Sequence, residues 1–192
     1  MENIEGEIFV VDNNSTDGSK DFFQDKFPGV TFIWNTENEG FAKANNKALK
    51  RASGNYILFL NPDTIVPEDC FEKCISFMKL KDDSGALGIK MLDGSGKFLK
   101  ESKRAFPSPM TSLFKLSGLT RLFPKSKVFS KYHLGFLDEH LSHEVDVLAG
   151  AFILIPKKIL DTTGTFDESF FMYGEDIDLS YRIQKAGFKN RI

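Results

Sequence analysis

The sequence has 192 residues, 41% hydrophobic and 27% charged, and its 25 Lys and Arg against 27 Asp and Glu leave a net charge of −2. This length suits one domain burying roughly 70% of its unfolded surface, and the balance excludes a disordered chain and a broadly polyanion-binding protein such as a nucleic-acid binder. The longest apolar runs, Tyr56–Leu60 and Ala149–Ile155, fall far short of the ~20 residues that span a bilayer, and no secretory leader is seen at the start, so the expected compartment is the cytoplasm.

Strand-like and helix-like segments alternate through the first half. Ile8–Val11 reads as a strand ending at Asp12, and the turn-rich Asn13–Gly18 leads into a short helix over 19–27, stopped by Pro28 and Gly29. Val30–Trp34 is the next strand. Phe41, Ala44, Ala48 and Leu49 then recur at helical spacing over 41–52. Tyr56–Leu60 is continuously apolar, as a strand covered on both faces should be, and Pro67 opens a helix with Phe71, Cys74, Ile75 and Met78 on one stripe. Cys70 and Cys74 fit one buried face of that helix better than a disulfide or a zinc site. The alternation implies a parallel, nucleotide-binding type of α/β sheet.

Ala86–Leu92 and Lys97–Leu99 then read as two strands joined by a turn at Asp93–Gly96. From Lys103 to Leu137 there are seven Lys or Arg and no acid, with large apolar residues interleaved. A broken strand follows over 145–155, and a last helix runs from Glu175 to Ala186, capped by Gly187. Most of the 20 Phe residues are expected in the core.

Ligands of an open parallel sheet sit beyond the carboxyl ends of its strands. Asp12 ends the first strand, and Asn61-Pro62-Asp63 ends the third. There is no Gly-x-Gly-x-x-Gly after the first strand and no Gly-Lys-Ser/Thr loop, which disfavours dinucleotide oxidoreductases and P-loop enzymes. Phosphate would instead be neutralised by Mg²⁺ or Mn²⁺ held by a single carboxylate, Asp63. Near the C-terminus Glu175, Asp176 and Asp178 crowd a helix start behind Phe170, Phe171 and Tyr173. For Asp178 the macrodipole alone is as good a reason as any function. For Asp176, desolvation by those aromatic rings would favour a general-base role.

Five segments carry a family resemblance: Phe9-Val10-Val11-Asp12-Asn13-Asn14-Ser15-Thr16-Asp17-Gly18-Ser19, Asn38-Glu39-Gly40-Phe41-Ala42-Lys43-Ala44-Asn45-Asn46, Phe59-Leu60-Asn61-Pro62-Asp63-Thr64, Ala149-Gly150-Ala151-Phe152 and Gly174-Glu175-Asp176-Ile177-Asp178-Leu179-Ser180-Tyr181-Arg182. In this order and spacing the chain resembles the family 2 glycosyltransferases, and within them the bacterial rhamnosyltransferase-like branch that builds surface polysaccharides. The resemblance implies a GT-A fold, an α/β domain with a mostly parallel central sheet and helices on both faces. It also implies inverting transfer from a nucleotide-diphosphate sugar, with dTDP-rhamnose the first donor to expect, to a saccharide or lipid-linked acceptor. Asp12, Asn13, Lys43, Asn46 and Asn61 would then lie on the donor side and Asp63 would be the metal ligand. Gly150, Ala151 and Tyr173 would line the acceptor side, and Asp176, beside Glu175, would take the acceptor proton.

The sequence departs from the family pattern in places. Asn13 stands where a second Asp is usual, and the metal motif keeps only its last acid. The usual first strand is missing from the start and a strand with a functional His from the end, so the expectation is a domain truncated at both ends. One domain over 1–192 is expected, with a nucleotide-sugar-binding half at 1–85, an acceptor and catalytic half at 86–192, and the basic, aromatic insert at 103–137. The alternative reading is a non-catalytic nucleotide-sugar-binding remnant. The insert is either a solvated connector or a peripheral contact with the anionic inner face of the plasma membrane.

Overall fold

The computed structural model describes residues 4–23 and 26–192. Strand β1 (Ile8–Asp12), helix α1 (Ser19–Phe23), strand β2 (Val30–Trp34), helix α2 (Phe41–Leu49), strand β3 (Tyr56–Leu60) and helix α3 (Cys70–Leu80) form the first half. The periodicity predicts all six. The tail of the helix expected over 19–27 includes residues 24 and 25, which lie outside the described residues. Helix α3 starts at Cys70 rather than Pro67, because residues 67–69 form a turn in which the Cys70 amide donates to the Pro67 carbonyl at 3.1 Å.

The second half is more broken. It comprises β4 (Ser84–Leu87), β5 (Lys103–Arg104), α4 (Pro109–Leu116), α5 (Leu119–Leu122), β6 (Glu144–Val145), β7 (Val147–Leu148), β8 (Phe152–Pro156), α6 (Lys157–Thr163), α7 (Glu175–Lys185) and β9 (Lys189–Arg191). Of the hairpin expected over 86–99, a single bridge between Leu92 and Phe98 forms across the Asp93–Gly96 turn. None of the described helices is long and apolar enough to cross a membrane.

The α/β architecture is as expected, but the sheet is mixed rather than mostly parallel. Strand order in the five-stranded sheet is β3-β8-β4-β9-β6. β4 and β9 are parallel, whereas β8 runs against both β3 and β4, and β6 runs against β9. The cause is the turn at Ala149–Ala151, which lies beside the carboxyl end of β3 (the Asn61 amide donates to the Ala151 carbonyl at 3.0 Å). β8 therefore enters the sheet from the end that β3 leaves. β1 and β2 form a separate parallel pair, tied to the start of β3 by Glu7, whose carboxylate accepts the Ser53 amide at 2.9 Å and hydroxyl at 2.6 Å.

Two apolar clusters hold the layers together. One packs Ile57, Phe59, Ile153 and Ile155 of the sheet against Ile159, Leu179 and Ile183 of α6 and α7, with Phe166 joining from a loop. The other sets Cys74 and Met78 of α3 against Leu87, Phe152 and Leu154. Cys74 thus sits on a buried helix face, and burial pushes its thiol up to about 12.

One glycine fixes how the loop before α7 meets α2. Gly40 has φ +84°, and a β-carbon there would overlap the Phe171 carbonyl oxygen. That oxygen accepts the Phe41 amide at 2.9 Å, so the free N-terminus of α2 holds the loop. Gly40→Ala should cost about 1–3 kcal/mol of stability in urea unfolding, the scale of a strained backbone. Gly94→Ala, which meets open space, should stay within about 0.5 kcal/mol of the parent. Equal midpoints for the two variants would remove Gly40 from this role.

Candidate functional site

A series of contacts among segments far apart in sequence links the end of β1 to the carboxyl end of β3. At the end of β1, the Asn13 side-chain amide donates to the Gly40 carbonyl at 3.1 Å. Gly40 abuts Phe171, and the loop containing Phe171 runs into α7, which starts at Glu175. The Asp176 carboxylate there comes within 4 Å of the position a Gly150 β-carbon would take. Ala151 then binds the backbone of Asn61, two residues before Asp63. The series links the segments that carry Asp12, Asp63, Gly150 and Asp176, of which Asp12 and Asp63 follow the carboxyl ends of strands, where ligands of an α/β sheet sit.

Of the residues expected on the donor side, Asp12 accepts the Ser15 amide through one oxygen at 3.0 Å, which keeps the carboxylate at the strand end. The Asn13 amide is used at both ends: besides its bond to Gly40, its oxygen accepts the Asn35 amide at 2.8 Å. Asn35 in turn accepts Lys47 Nζ at 2.8 Å, and Lys47 pairs with Glu39. Asn13, expected on the donor side, thus anchors the loop. Asn46 is 2% exposed, its Nδ2 donates to the Phe166 carbonyl at 2.8 Å and to Glu168 at 3.1 Å, and its Oδ1 accepts the Phe166 amide at 3.2 Å. A buried amide satisfied in this way ties α2 to the loop before α7. Lys43 points from α2 into solvent, and Asn61 is half-buried.

Asp63 is exposed and enters no side-chain hydrogen bond or ion pair among the described residues. No group of three or more His, Cys, Asp or Glu among those residues could cage a metal. A single free carboxylate suits Mg²⁺ or Mn²⁺, which keep water and substrate phosphate oxygens as their other ligands; it does not suit an all-protein metal cage.

Asp176 differs from expectation in its surroundings. Phe171 and Tyr173 are exposed, Tyr173 at 82% with φ +69°, and the Phe170 ring packs on Gly174. The side chain that faces Asp176 is Arg104, from β5. Asp176 is buried and Arg104 half-buried, the guanidinium pairs with Asp176 Oδ2, and Arg104 also donates to the Leu148 carbonyl at 2.9 Å. Asp176 Oδ1 accepts the Ile177 amide at 2.8 Å. Burial opposes the Arg104 charge, but the Asp176 carboxylate, with Tyr132, outweighs it and holds the guanidinium above its ordinary value. The sequence reading missed Arg104; its only signal is its place in an acid-free segment. Asp178 is accounted for by its helical pair with Arg182, whose Nε donates at 2.8 Å.

Glu175 is 7% exposed and its Oε2 is buried without a partner. Burial, and then the neighbouring Asp176 charge, pushes its carboxyl above the ordinary carboxylate value. The folded chain therefore binds this proton more tightly than the unfolded chain, so ionising Glu175 costs stability at neutral pH, and that cost disappears once acid neutralises the group in both states. Glu175→Gln should raise the melting temperature at pH 7. The gain should shrink to nothing as pH falls below 4.5, the group's ordinary value. A gain that persists unchanged at pH 3 would assign the effect to something other than this charge.

With the geometry in place, comparison with known proteins gives the family. Residues 3–161 match the profile of Glycosyl transferase family 2. The N-acetylglucosaminyl-diphospho-decaprenol L-rhamnosyltransferase of Mycobacterium tuberculosis (strain H37Rv) is 26% identical over 94% of this chain and 62% of its own. Rhamnosyltransferase WbbL of Escherichia coli (strain K12) is 30% identical over 78% of this chain and 56% of its own. The chain thus spans less than two thirds of the length of either relative. Among solved structures, the mannosyltransferase PcManGT of Pyrobaculum calidifontis, in complex with GDP-Man and Mn²⁺, superposes with a TM-score of 0.58 at 18% identity, covering 96% of this chain and 44% of its own. GalNAc-T7 with UDP, GalNAc and Mn²⁺ gives 0.61 at 15% identity, covering 96% and 36%. These neighbours share the GT-A fold, and the chain belongs to glycosyl transferase family 2.

Proposed function

We propose that this chain forms the donor-binding and catalytic core of an inverting glycosyltransferase, which moves rhamnose from dTDP-rhamnose to a lipid-linked saccharide. The observation that carries the reading is the series of contacts that links the strand ends bearing Asp12 and Asp63 to the start of α7 with Asp176, which lies more than 100 residues further along the chain. The two rhamnosyltransferase relatives support the donor sugar, and the diphospho-decaprenol in the name of one supports the acceptor class. The nucleotide-bound neighbours with Mn²⁺ support a divalent cation.

Residues 1–85 take the donor. Asp12 meets the nucleoside, Lys43 offers a flexible cation to the diphosphate, and Asp63 would hold Mg²⁺ or Mn²⁺. When bound, that ion supplies positive charge for the leaving diphosphate. Residues 86–192 receive the acceptor beside Gly150, Ala151 and Tyr173. The glycine lacks a side chain where Asp176 must be approached, so an acceptor hydroxyl can reach the carboxylate. Asp176 accepts the hydroxyl proton as the oxygen attacks the anomeric carbon and the bond to the nucleoside diphosphate breaks, a single displacement that inverts configuration. Arg104 holds the carboxylate in position throughout.

The test is a transfer assay in which the protein is given dTDP-rhamnose and a diphospholipid-linked N-acetylglucosamine. Asp176→Asn should reduce turnover by at least about a hundredfold, the lower end of what a general base contributes, while donor binding stays within about twofold. Turnover within tenfold of the parent would remove Asp176 from the base role.

A further inference from the structure

Of the segment between β5 and β6, Leu134 packs against the first core cluster, and the stretch around α4 and α5 has a small apolar interior of its own. α4 turns Thr111 and Phe114 inward; the Phe114 ring packs edge-on against Phe129 with centroids 5.0 Å apart, and Phe123 lies 5.4 Å from the same ring. Its other face stands in solvent. Met110, Leu113 and Leu116 are 57%, 58% and 87% exposed, and Leu122 of α5 is 70% exposed. Around them Lys115, Arg121, Lys125, Lys127 and Lys131 are all exposed, and none forms an ion pair among the described residues. The segment's other cations are used internally: Lys103 Nζ donates to the Leu137 carbonyl at 2.6 Å, and Arg104 pairs with Asp176. No Asp or Glu occurs from 103 to 137.

Large exposed aliphatic side chains on one face, rimmed by unpaired cations, require a partner both apolar and negative. A second copy of the chain would set five cations against five. A nucleic acid would neutralise the cations but leave the leucines in water. An anionic bilayer satisfies both, because its headgroups carry the charge and its acyl boundary takes the side chains.

We propose that the face formed by α4, α5 and residues 123–131 seats the protein on an anionic lipid surface, with the five cations among the headgroups and Met110, Leu113, Leu116 and Leu122 in the interface. The segment is rooted at the candidate site. The Ala105 amide donates to the Tyr132 carbonyl at 2.8 Å, and only residues 105–108 separate Arg104, which holds Asp176, from the start of α4. Seating this face therefore brings the acceptor side of the site to the surface where a lipid-linked substrate lies.

The experiment is co-sedimentation with vesicles of equimolar phosphatidylcholine and phosphatidylglycerol, or of phosphatidylcholine alone, at low and high salt. Two variants accompany the parent. One carries Lys115→Glu, Arg121→Glu, Lys125→Glu and Lys127→Glu; the other carries Leu113→Ser, Leu116→Ser and Leu122→Ser and keeps every charge. All altered side chains are exposed, and circular dichroism checks that both variants are folded. The parent should pellet with anionic vesicles at low salt and stay in solution with phosphatidylcholine alone. High salt and each variant should lower the partition coefficient by about tenfold or more. A parent that stays in the supernatant at low salt overturns the proposal. A serine variant that sediments like the parent also overturns it, and points instead to a purely electrostatic partner such as an acidic protein. Neither result depends on nucleotide-sugar binding, so this inference and the catalytic reading fail separately.

Discussion

The geometry of the site depends on the close approach of Gly40 to the Phe171 carbonyl. The backbone at Gly40 is left-handed and carries no β-carbon, which lets the Phe41 amide reach that oxygen. On its other side, the Gly40 carbonyl accepts the Asn13 amide from the end of β1. One residue thus links the strand end with Asp12 to the loop that leads to Asp176. The linkage is backbone-based on both sides, so its precision comes from excluded volume and two hydrogen bonds rather than from long, mobile side chains. The Asn13–Asn35–Lys47–Glu39 chain braces it from behind.

The surroundings of Asp176 rely on charge. Arg104 and Asp176 are both largely withdrawn from water, and an isolated ion of either kind would be costly there. Paired, with the Leu148 carbonyl and the Ile177 amide taking further hydrogen bonds, they form a buried element whose orientation is set by β5, β7 and α7 together. Glu175 beside them carries the strain of the arrangement: its Oε2 is unpartnered and burial disfavours its charge.

Much of the N-terminal half is legible in the sequence because its information is local. Apolar runs ended by Asp12 and Asn61-Pro62-Asp63, and the apolar stripes of α2 and α3, need no long-range knowledge to read. The reading fails where partners are distant. Asn46 sits in a motif that suggests a ligand contact, yet its amide is satisfied by Phe166, 120 residues away. Arg104 is 72 residues from the acid it pairs with, so the aromatic run adjacent to Asp176 in sequence was the more visible neighbour. The mixed sheet is hidden for a similar reason: strand direction in β8 is set by where the Ala149–Ala151 turn docks, not by the composition of Phe152–Pro156. Helix α6 follows β8 with no intervening loop, and β9 is three polar residues, so neither has a signal of its own.

The account rests on a donor site in which the protein gives one carboxylate and the substrate gives the phosphate oxygens. Calorimetric titration of dTDP-rhamnose into the protein, with Mn²⁺ and with a chelator, tests this most directly, with Asp63→Ala run in parallel. The account predicts saturable binding in Mn²⁺ that is lost in chelator and in Asp63→Ala. Binding of equal affinity in all three conditions, or in none, would contradict it.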